Sequence, residues 1–380
     1  MDRTVSLPAK LSFSFAFTAF LLVAIEAGAF FIRRVASHFP KRPDFAISAS
    51  SIYQGQTWAE KFFQEAGIAF NAERYWPFVV WKMAPFHGET INIDENGLRR
   101  TFQSDCKDPN AYTIWMFGGS TMLGQGAPDW FTIPSFLAAL YQKAGRPACV
   151  VNYGQLGWVN TQESIELILK LKEETRKPNL VIFYDGVNDT GIALGHDSID
   201  THLEFDGIKR KFERDEQRQP GSFRYLLESN TARVLIGIAQ RMAEQRAANR
   251  PFPEPVSEAT WRNRLEIDYF KNLDFVSLLA HNHGIACAFF WQPVIYTGQK
   301  QLTGEEQKII ERTQARYNPN GGLVNVYDFV RGQTRPRFFD IADVFSNVPE
   351  TLYVDPWHVG PQGNRLVAER MYEILRQQGF

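Results

Sequence analysis

Apolar runs of six to eight residues recur along this chain from position 111 onward, and between them the hydrophobic spacing changes to that of a helix. The runs are AYTIWMF (111–117), ACVVNY (148–153), NLVIFYDG (179–186), IACAFFW (285–291) and LVNVYDF (323–329). They are apolar nearly throughout rather than alternating, as expected of strands covered on both faces. Helices are predicted over 132–144, 161–177, 265–282, 303–316 and 363–375. The second carries apolar residues at 165, 168, 169 and 171, with Asn160 as candidate N-cap and Pro178 as a stop. The last stripes Leu366, Val367, Met371, Ile374 and Leu375 along one face. Such alternation predicts an α/β fold, a flavodoxin-like three-layer sandwich around a five-stranded, mainly parallel sheet.

Two parts break the rhythm. Residues 190–262 are charged (KRKFERDEQRQP), end in Pro-rich PFPEP, and read as an insertion at the sheet's carboxyl edge with a helix near 231–248. Residues 33–110 read as a linker followed by a mixed preamble. There INIDENGLRRTF (91–102) alternates and then turns at Asn96-Gly97, which suggests a hairpin or an extended element. The remainder, 111–380, is expected to form one domain around the insertion.

Ahead of all this lies LSFSFAFTAFLLVAIEAGAFFI (11–32), 22 residues with a single charge, Glu26. As a helix it would extend about 33 Å, enough to cross a bilayer. It reads as an N-terminal membrane anchor over 1–32. A cleaved leader, with AGA (27–29) near the cleavage position, and a buried soluble helix are the competing readings. Arg3 and Lys10 precede the run, whereas Arg33, Arg34, Lys41 and Arg42 follow it. Counted alone, these charges would keep the bulk of the chain in the cytoplasm.

The net charge of −1 offers no basic surface for nucleic acid. The three cysteines, Cys106, Cys149 and Cys287, form no CxxC pair, and the last two sit in apolar runs as expected of core residues. His281 and His283 lack a third ligand nearby, so neither a metal nor another cofactor is expected.

In open parallel sheets, ligands bind beyond the carboxyl ends of the strands, so the residues that follow each run carry the functional reading. After the first comes FGGSTMLGQG, with Ser120 in a glycine-flanked turn. No Lys follows, which excludes a P-loop, and Met122 stands where a G-x-S-x-G elbow needs Gly. Ser120 then suits either a helix cap or a nucleophile. After the second comes NYGQLGW, where Gly154 and Gly157 serve either a turn or an unshielded N–H. After the third comes YDGVNDT, where Asn188 is either a turn residue or an amide donor to a developing oxyanion. Near the C-terminus comes DPWH. Asp355, three residues before His358, can fold back onto Nδ1 and fix the imidazole as a base.

Ser, Gly, Asn and Asp-x-x-His in this order, each after a strand, resemble the blocks of the SGNH, or GDSL-type, esterase and lipase superfamily. The resemblance covers about 111–380. It implies Ser120 as nucleophile, His358 as base and Asp355 as its partner. The Ser120 and Gly157 N–H groups with the Asn188 amide would form the oxyanion hole. The family's Gly-Asp-Ser is Gly118-Gly119-Ser120 here, which leaves the local bonding of that turn open. The resemblance further implies an acylated small molecule or envelope polysaccharide as substrate, O-acetyl esters above all. It leaves open an O-acyltransferase with the same triad, or a non-catalytic carbohydrate-binding relative. Tyr153, Trp158, Tyr184, Trp357 and Gln292 are candidate substrate-lining residues. ENGLRR and the anchor also resemble membrane-tethered bacterial members, whose catalytic domain is periplasmic.

Overall fold

The computed structural model describes residues 7–36, 50–104, 106–108, 110–195, 200–216, 229–238 and 256–380. Nine strands occur among them, β1 (Glu73–Trp76), β2 (Val80–Met83), β3 (Phe86–His87), β4 (Asn92–Ile93), β5 (Tyr112–Gly118), β6 (Ala148–Asn152), β7 (Leu180–Asp185), β8 (Ala286–Trp291) and β9 (Phe338–Asp340). The last five form one sheet in the order β6-β5-β7-β8-β9, parallel throughout.

Side chains alternate across this sheet, so each apolar run feeds two cores. Ile114, Met116, Ile182, Tyr184, Ala288 and Phe290 pack on one face with residues of helices Ile133–Lys143 and Pro361–Gln377. Trp115, Phe117, Val181, Phe183, Phe289 and Trp291 pack on the other with helices Asn160–Glu173, Lys271–Asn282 and Gly322–Arg331. Three layers result, as the sequence pattern predicts, because the central strands are apolar on both faces apart from Thr113 and Asp185 near their ends.

One predicted strand is a helix. Residues 323–329 lie in helix Gly322–Arg331, and the fifth strand is Phe338–Asp340 instead. The buried positions of that helix are Leu323, Val326, Tyr327 and Val330. This is the i, i+3, i+4, i+7 spacing of a helix face, which a short apolar run cannot be distinguished from by composition alone. The helix after β6 begins at Asn160 itself, with Val159 as its cap, and ends at Glu173, ahead of Pro178. The stretch predicted as one helix over 265–282 includes a π-helical turn, Leu265–Phe270, followed by helix Lys271–Asn282. Of the helix expected near 231–248, residues 230–238 are helical and the remainder lies outside the described residues.

Residues 42–206 and 251–380 make one compact unit, and residues 1–41 and 207–250 another. In the second, helix Leu7–Ala36 includes an apolar stretch, Ser14–Ile32, long enough to cross a membrane. In the first, the preamble packs as structure rather than spacer. Phe62, Ala69, Met83, Ile91 and Ile93 form a core with Leu123. The expected hairpin is present: Asp94–Gly97 turns the chain, Ile93 pairs with Arg99, and Arg99 pairs in turn with Asn152 on edge strand β6. Ser104 continues alongside, its hydroxyl bonded to both the N–H and C=O of Val150. That path brings Cys106 to Cys149, and the two are disulfide-bonded. Cys149 and Cys287 are both buried, as their apolar runs predict, but Cys149 is bridged and Cys287 is free.

The bridge closes a loop across a sequence separation of 43 residues. Loop-closure entropy for a cross-link of that size suggests a stabilisation of about 2–4 kcal/mol. A Cys106→Ser/Cys149→Ser variant should lose about that much in urea unfolding, and reducing agent should bring wild type to the same midpoint while leaving the variant unchanged.

Candidate active site

The turn after β5 starts the site. Gly118 has no room for a side chain, since a Cβ there would lie 2.7 Å from the Tyr184 carbonyl. Ser120 opens the short helix Ser120–Leu123, which ends at Gly124 in the left-handed conformation (φ 88°) that favours glycine. A helix this short satisfies few of its own carbonyls, and a buried guanidinium takes over that task. Arg99 bonds the carbonyls of Leu123 (3.0 Å), Gly124 (2.5 Å) and Ala127 (2.6 Å) and pairs with Asp129 at 3.0 Å. The Asn152 amide adds a bond to the Met122 carbonyl. These contacts answer the question raised by the missing aspartate of Gly118-Gly119-Ser120. The turn is held from Arg99 and Asn152. Gly119 leaves room for Asn188, whose Nδ2 lies 2.5 Å from where a Cβ would stand.

The segment after β6 contributes two glycines with different duties. Gly154 lets two backbones touch, because a Cβ on it would lie 2.3 Å from Leu123 N. Gly157 has φ 65°, the left-handed region. Among the described residues, neither the Gly157 nor the Ser120 N–H donates to a protein acceptor. Asn188, after β7, donates one amide hydrogen to the Trp158 carbonyl at 2.7 Å, which leaves the other uncommitted. The three blocks thus meet around Gly119, whose missing side chain would touch both Asn188 and the Trp158 carbonyl.

The loop carrying DPWH folds on its own carboxylate. Asp355 Oδ1 accepts from the Trp357 N–H (3.0 Å) and the His358 N–H (2.8 Å), and Oδ2 lies 2.6 Å from His358 Nδ1. Ring closure of this kind needs the three-residue spacing. Buried Glu306 ties the start of the loop through the N–H groups of Leu352 and Tyr353. Pro356 is fixed by Ile295 N–H at the end of β8. His358 Nε2 then lies 2.7 Å from Ser120 Oγ, across 238 residues of chain. Because an ionised carboxylate can only accept, Nδ1 carries the hydrogen, and Nε2 is the free base facing the hydroxyl. Burial pushes the Asp355 carboxyl up, but the facing imidazole and the His358 and Trp357 N–H groups outweigh it and hold it below the usual range.

The lining residues expected from sequence fare unevenly. Trp158 is buried, with its indole N–H on the Trp81 carbonyl at 3.0 Å. Tyr153 stacks on Phe117 in the core, and Tyr184 is buried beside His358. The Tyr153 and Trp158 rings are core rather than an exposed stacking surface, whereas Tyr184, though buried, borders the cavity that also touches Trp357 and His358. Trp357 is half-buried and meets the His358 ring edge-on at 6.2 Å. Gln292 accepts from Thr121, next to Ser120, at 3.2 Å. Sequence reasoning missed Trp81 and Leu203, which lie 3.9 Å and 3.2 Å from where a Cβ on Gly157 would stand. Among the described residues no group of His, Cys, Asp or Glu is arranged to hold a metal ion.

Flanking Asn188 in the chain lies a buried acidic group that sequence reasoning also missed. Asn160 joins it, donating its side-chain amide to Asp185 (2.9 Å) and its backbone N–H to Asp189 (3.0 Å). Glu163 is buried against Asp185. Burial raises Asp185 to about 6, while burial and neighbouring negative charge push Glu163 and Asp189 well above the usual carboxylate range. Facing carboxyls bond to each other only when one keeps its proton.

No family model and no curated protein matches the sequence. Solved structures do match. A protein of Desulfitobacterium hafniense described as lipolytic, of the G-D-S-L family, is 13% identical over 69% of this chain and 99% of its own, with a TM-score of 0.31. An acetylxylan esterase of Geobacillus stearothermophilus is 14% identical over 71% of this chain and 94% of its own, at 0.32. An α/β hydrolase enzyme from the metagenome of Lake Arreo, Spain, is 14% identical over 69% and 95%, also at 0.32. Superpositions at this level carry no weight for chemistry, which rests on the contacts above.

The raised carboxyls fix a sign. Their contribution to stability is full below about pH 4, where the unfolded groups are also protonated, and is lost as pH rises through about 6 and beyond. Glu163→Gln removes that ionisation while leaving an amide of the same shape facing Asp185. Urea midpoints measured from pH 5 to 9 should therefore fall with pH in wild type and fall less in the variant.

Proposed function

We propose that this chain is a serine ester hydrolase of the SGNH type. The observation that carries the reading is the unbroken relay from Ser120 Oγ to His358 Nε2 (2.7 Å) and from Nδ1 to Asp355 (2.6 Å). Ser120 attacks the ester carbonyl while His358 takes the hydroxyl proton. The negative charge that develops on the carbonyl oxygen is met by the Ser120 and Gly157 N–H groups and the free hydrogen of the Asn188 amide. His358 then gives its proton to the departing alcohol, and Asp355 stabilises the imidazolium between these two steps. Water, activated by the same His358, attacks the acyl-enzyme and restores the serine.

The substrate is proposed to be a short O-acyl ester, acetyl in particular, on a carbohydrate or envelope polymer. Ser120 is only 8% exposed, with Trp81 and Leu203 crowding the Gly157 side, which supports a small acyl group. The Cys106–Cys149 bridge supports an oxidising compartment, hence a domain carried outside the cytoplasm by its apolar N-terminal helix. That reading runs against the literal count of flanking positive charges.

The reading is tested by reacting the full chain with a fluorophosphonate probe and with p-nitrophenyl acetate. Wild type should label at Ser120 and turn over the ester, and Ser120→Ala should abolish labelling and lower kcat by about 10⁵–10⁶. Asn188→Ala should keep the label yet lower kcat about 10²–10³-fold, with a smaller change in KM. Folded wild type that neither labels nor hydrolyses would overturn the proposal. Partition of the acyl group between water and an added acceptor sugar separates hydrolysis from acyl transfer.

A further inference from the structure

The anchor's single charge has a partner far along the chain. Glu26 lies within the apolar stretch Ser14–Ile32, about 9 Å from its Ile32 end at about 1.5 Å per residue. Its carboxylate accepts from the N–H groups of Asn230 and Thr231 and from the Thr231 hydroxyl. These residues open the helix at 230–238, inside the insertion. Ser229 completes the cap: its hydroxyl accepts from Ala232 N–H, and its carbonyl from Arg233 N–H. The N–H groups of Asn230, Thr231 and Ala232, which the helix itself leaves free, are therefore satisfied, two of the three by Glu26.

That arrangement suits an apolar surrounding. An unpaired N–H or an unpartnered carboxylate in hydrocarbon costs several kcal/mol, and here each meets the other. The negative charge also faces the positive end of the helix dipole. Past Arg233 the helix is apolar: Leu235, Ile236 and Ile238 are exposed, as are Leu22, Val23, Ile25, Phe30 and Phe31 on the anchor. Flanking sequence sets how far it goes. GIKRKFERDEQR (207–218) precedes it and AQRMAEQRAANR (239–250) follows, both heavily charged. Residues 229–240 carry one charge, Arg233, and are too few to cross a bilayer, which takes about 20.

We propose that residues 229–238 form a re-entrant segment that dips into the same lipid leaflet as the C-terminal part of the anchor and docks there on Glu26. The partner of the exposed Leu235, Ile236 and Ile238 is lipid acyl chain. The insertion is then a second membrane contact, and the apolar N-terminal helix is a retained structural element rather than a cleaved leader. This inference is independent of the hydrolytic reading.

The experiment uses the full-length chain in vesicles of phosphatidylethanolamine and phosphatidylglycerol. Nitroxide labels go to Leu235→Cys, to Leu22→Cys in the anchor and to Phe275→Cys, which is exposed in the other unit; the native thiols are bridged or buried. Label 235 should follow label 22, reached by dissolved oxygen and lost to a water-soluble nickel chelate, while label 275 should show the reverse. Glu26→Leu should return label 235 to the nickel chelate, and Glu26→Gln, which keeps an acceptor, should do so less. In a separate Glu26→Cys/Thr231→Cys variant, mild oxidation should join the two positions. Label 235 behaving like label 275 in the otherwise wild-type chain, absence of the 26–231 cross-link, or loss of the N-terminal helix from the mature protein would each overturn the proposal.

Discussion

A fully buried guanidinium holds the turn on which the rest of the site acts. Arg99 replaces water for the carbonyls of Leu123, Gly124 and Ala127 and is itself neutralised by Asp129. Burying that pair costs desolvation, and it is tolerable because every contact is made. Removing one partner of such a pair costs about 3–5 kcal/mol, since the other is left charged in the interior. The same device recurs. Glu306 gathers the N–H groups of Leu352 and Tyr353 while paired with Lys300, and Glu65 gathers those of Glu89, Thr90 and Ile91. Where chain must be irregular to present a reactive group, a buried ion satisfies the backbone that no helix or strand can.

With the turn fixed, the sheet supplies the convergence. Parallel strands β5, β6 and β7 end side by side, so Gly119, the Trp158 carbonyl and the Asn188 amide meet from three separate stretches of chain. Asn160 couples two of them below the surface, bonding Asp185 and Asp189 on either side of Asn188. The fourth, the loop with His358, comes from beyond β9 and is made rigid by its own aspartate. Short-range bonding shapes each loop, and the strand order brings the loops together.

Much of this was legible in the chain. Apolar runs flanked by amphipathic stretches specify a doubly covered parallel sheet, and Ser120, Gly157, Asn188, Asp355 and His358 fall where such a sheet gathers ligands. The failures have physical causes. Residues 323–329 satisfy both periodicities, and only the neighbours they pack against decide for helix. Cys106 sits in a polar stretch, and its bond to Cys149 depends on a hairpin carried back along β6. Arg99 in ENGLRR carries no local sign of its task, because the carbonyls it serves lie beyond Ser120. Tyr153 and Trp158 turn inward because an aromatic residue after a strand can face either way, and only the neighbours it packs against decide.

The preamble supplies Arg99 to one side of the reactive turn and Trp81 to the other. The chemistry therefore has no natural beginning at the first central strand. A chain cut at residue 111 would retain Ser120, Asp355 and His358 and still lack the cation that keeps the serine's helix in shape. Any relative in which those sixty or so preceding residues were exchanged would have to reinvent that cation, so the modular border of this unit lies near residue 50, well upstream of where its central strands start.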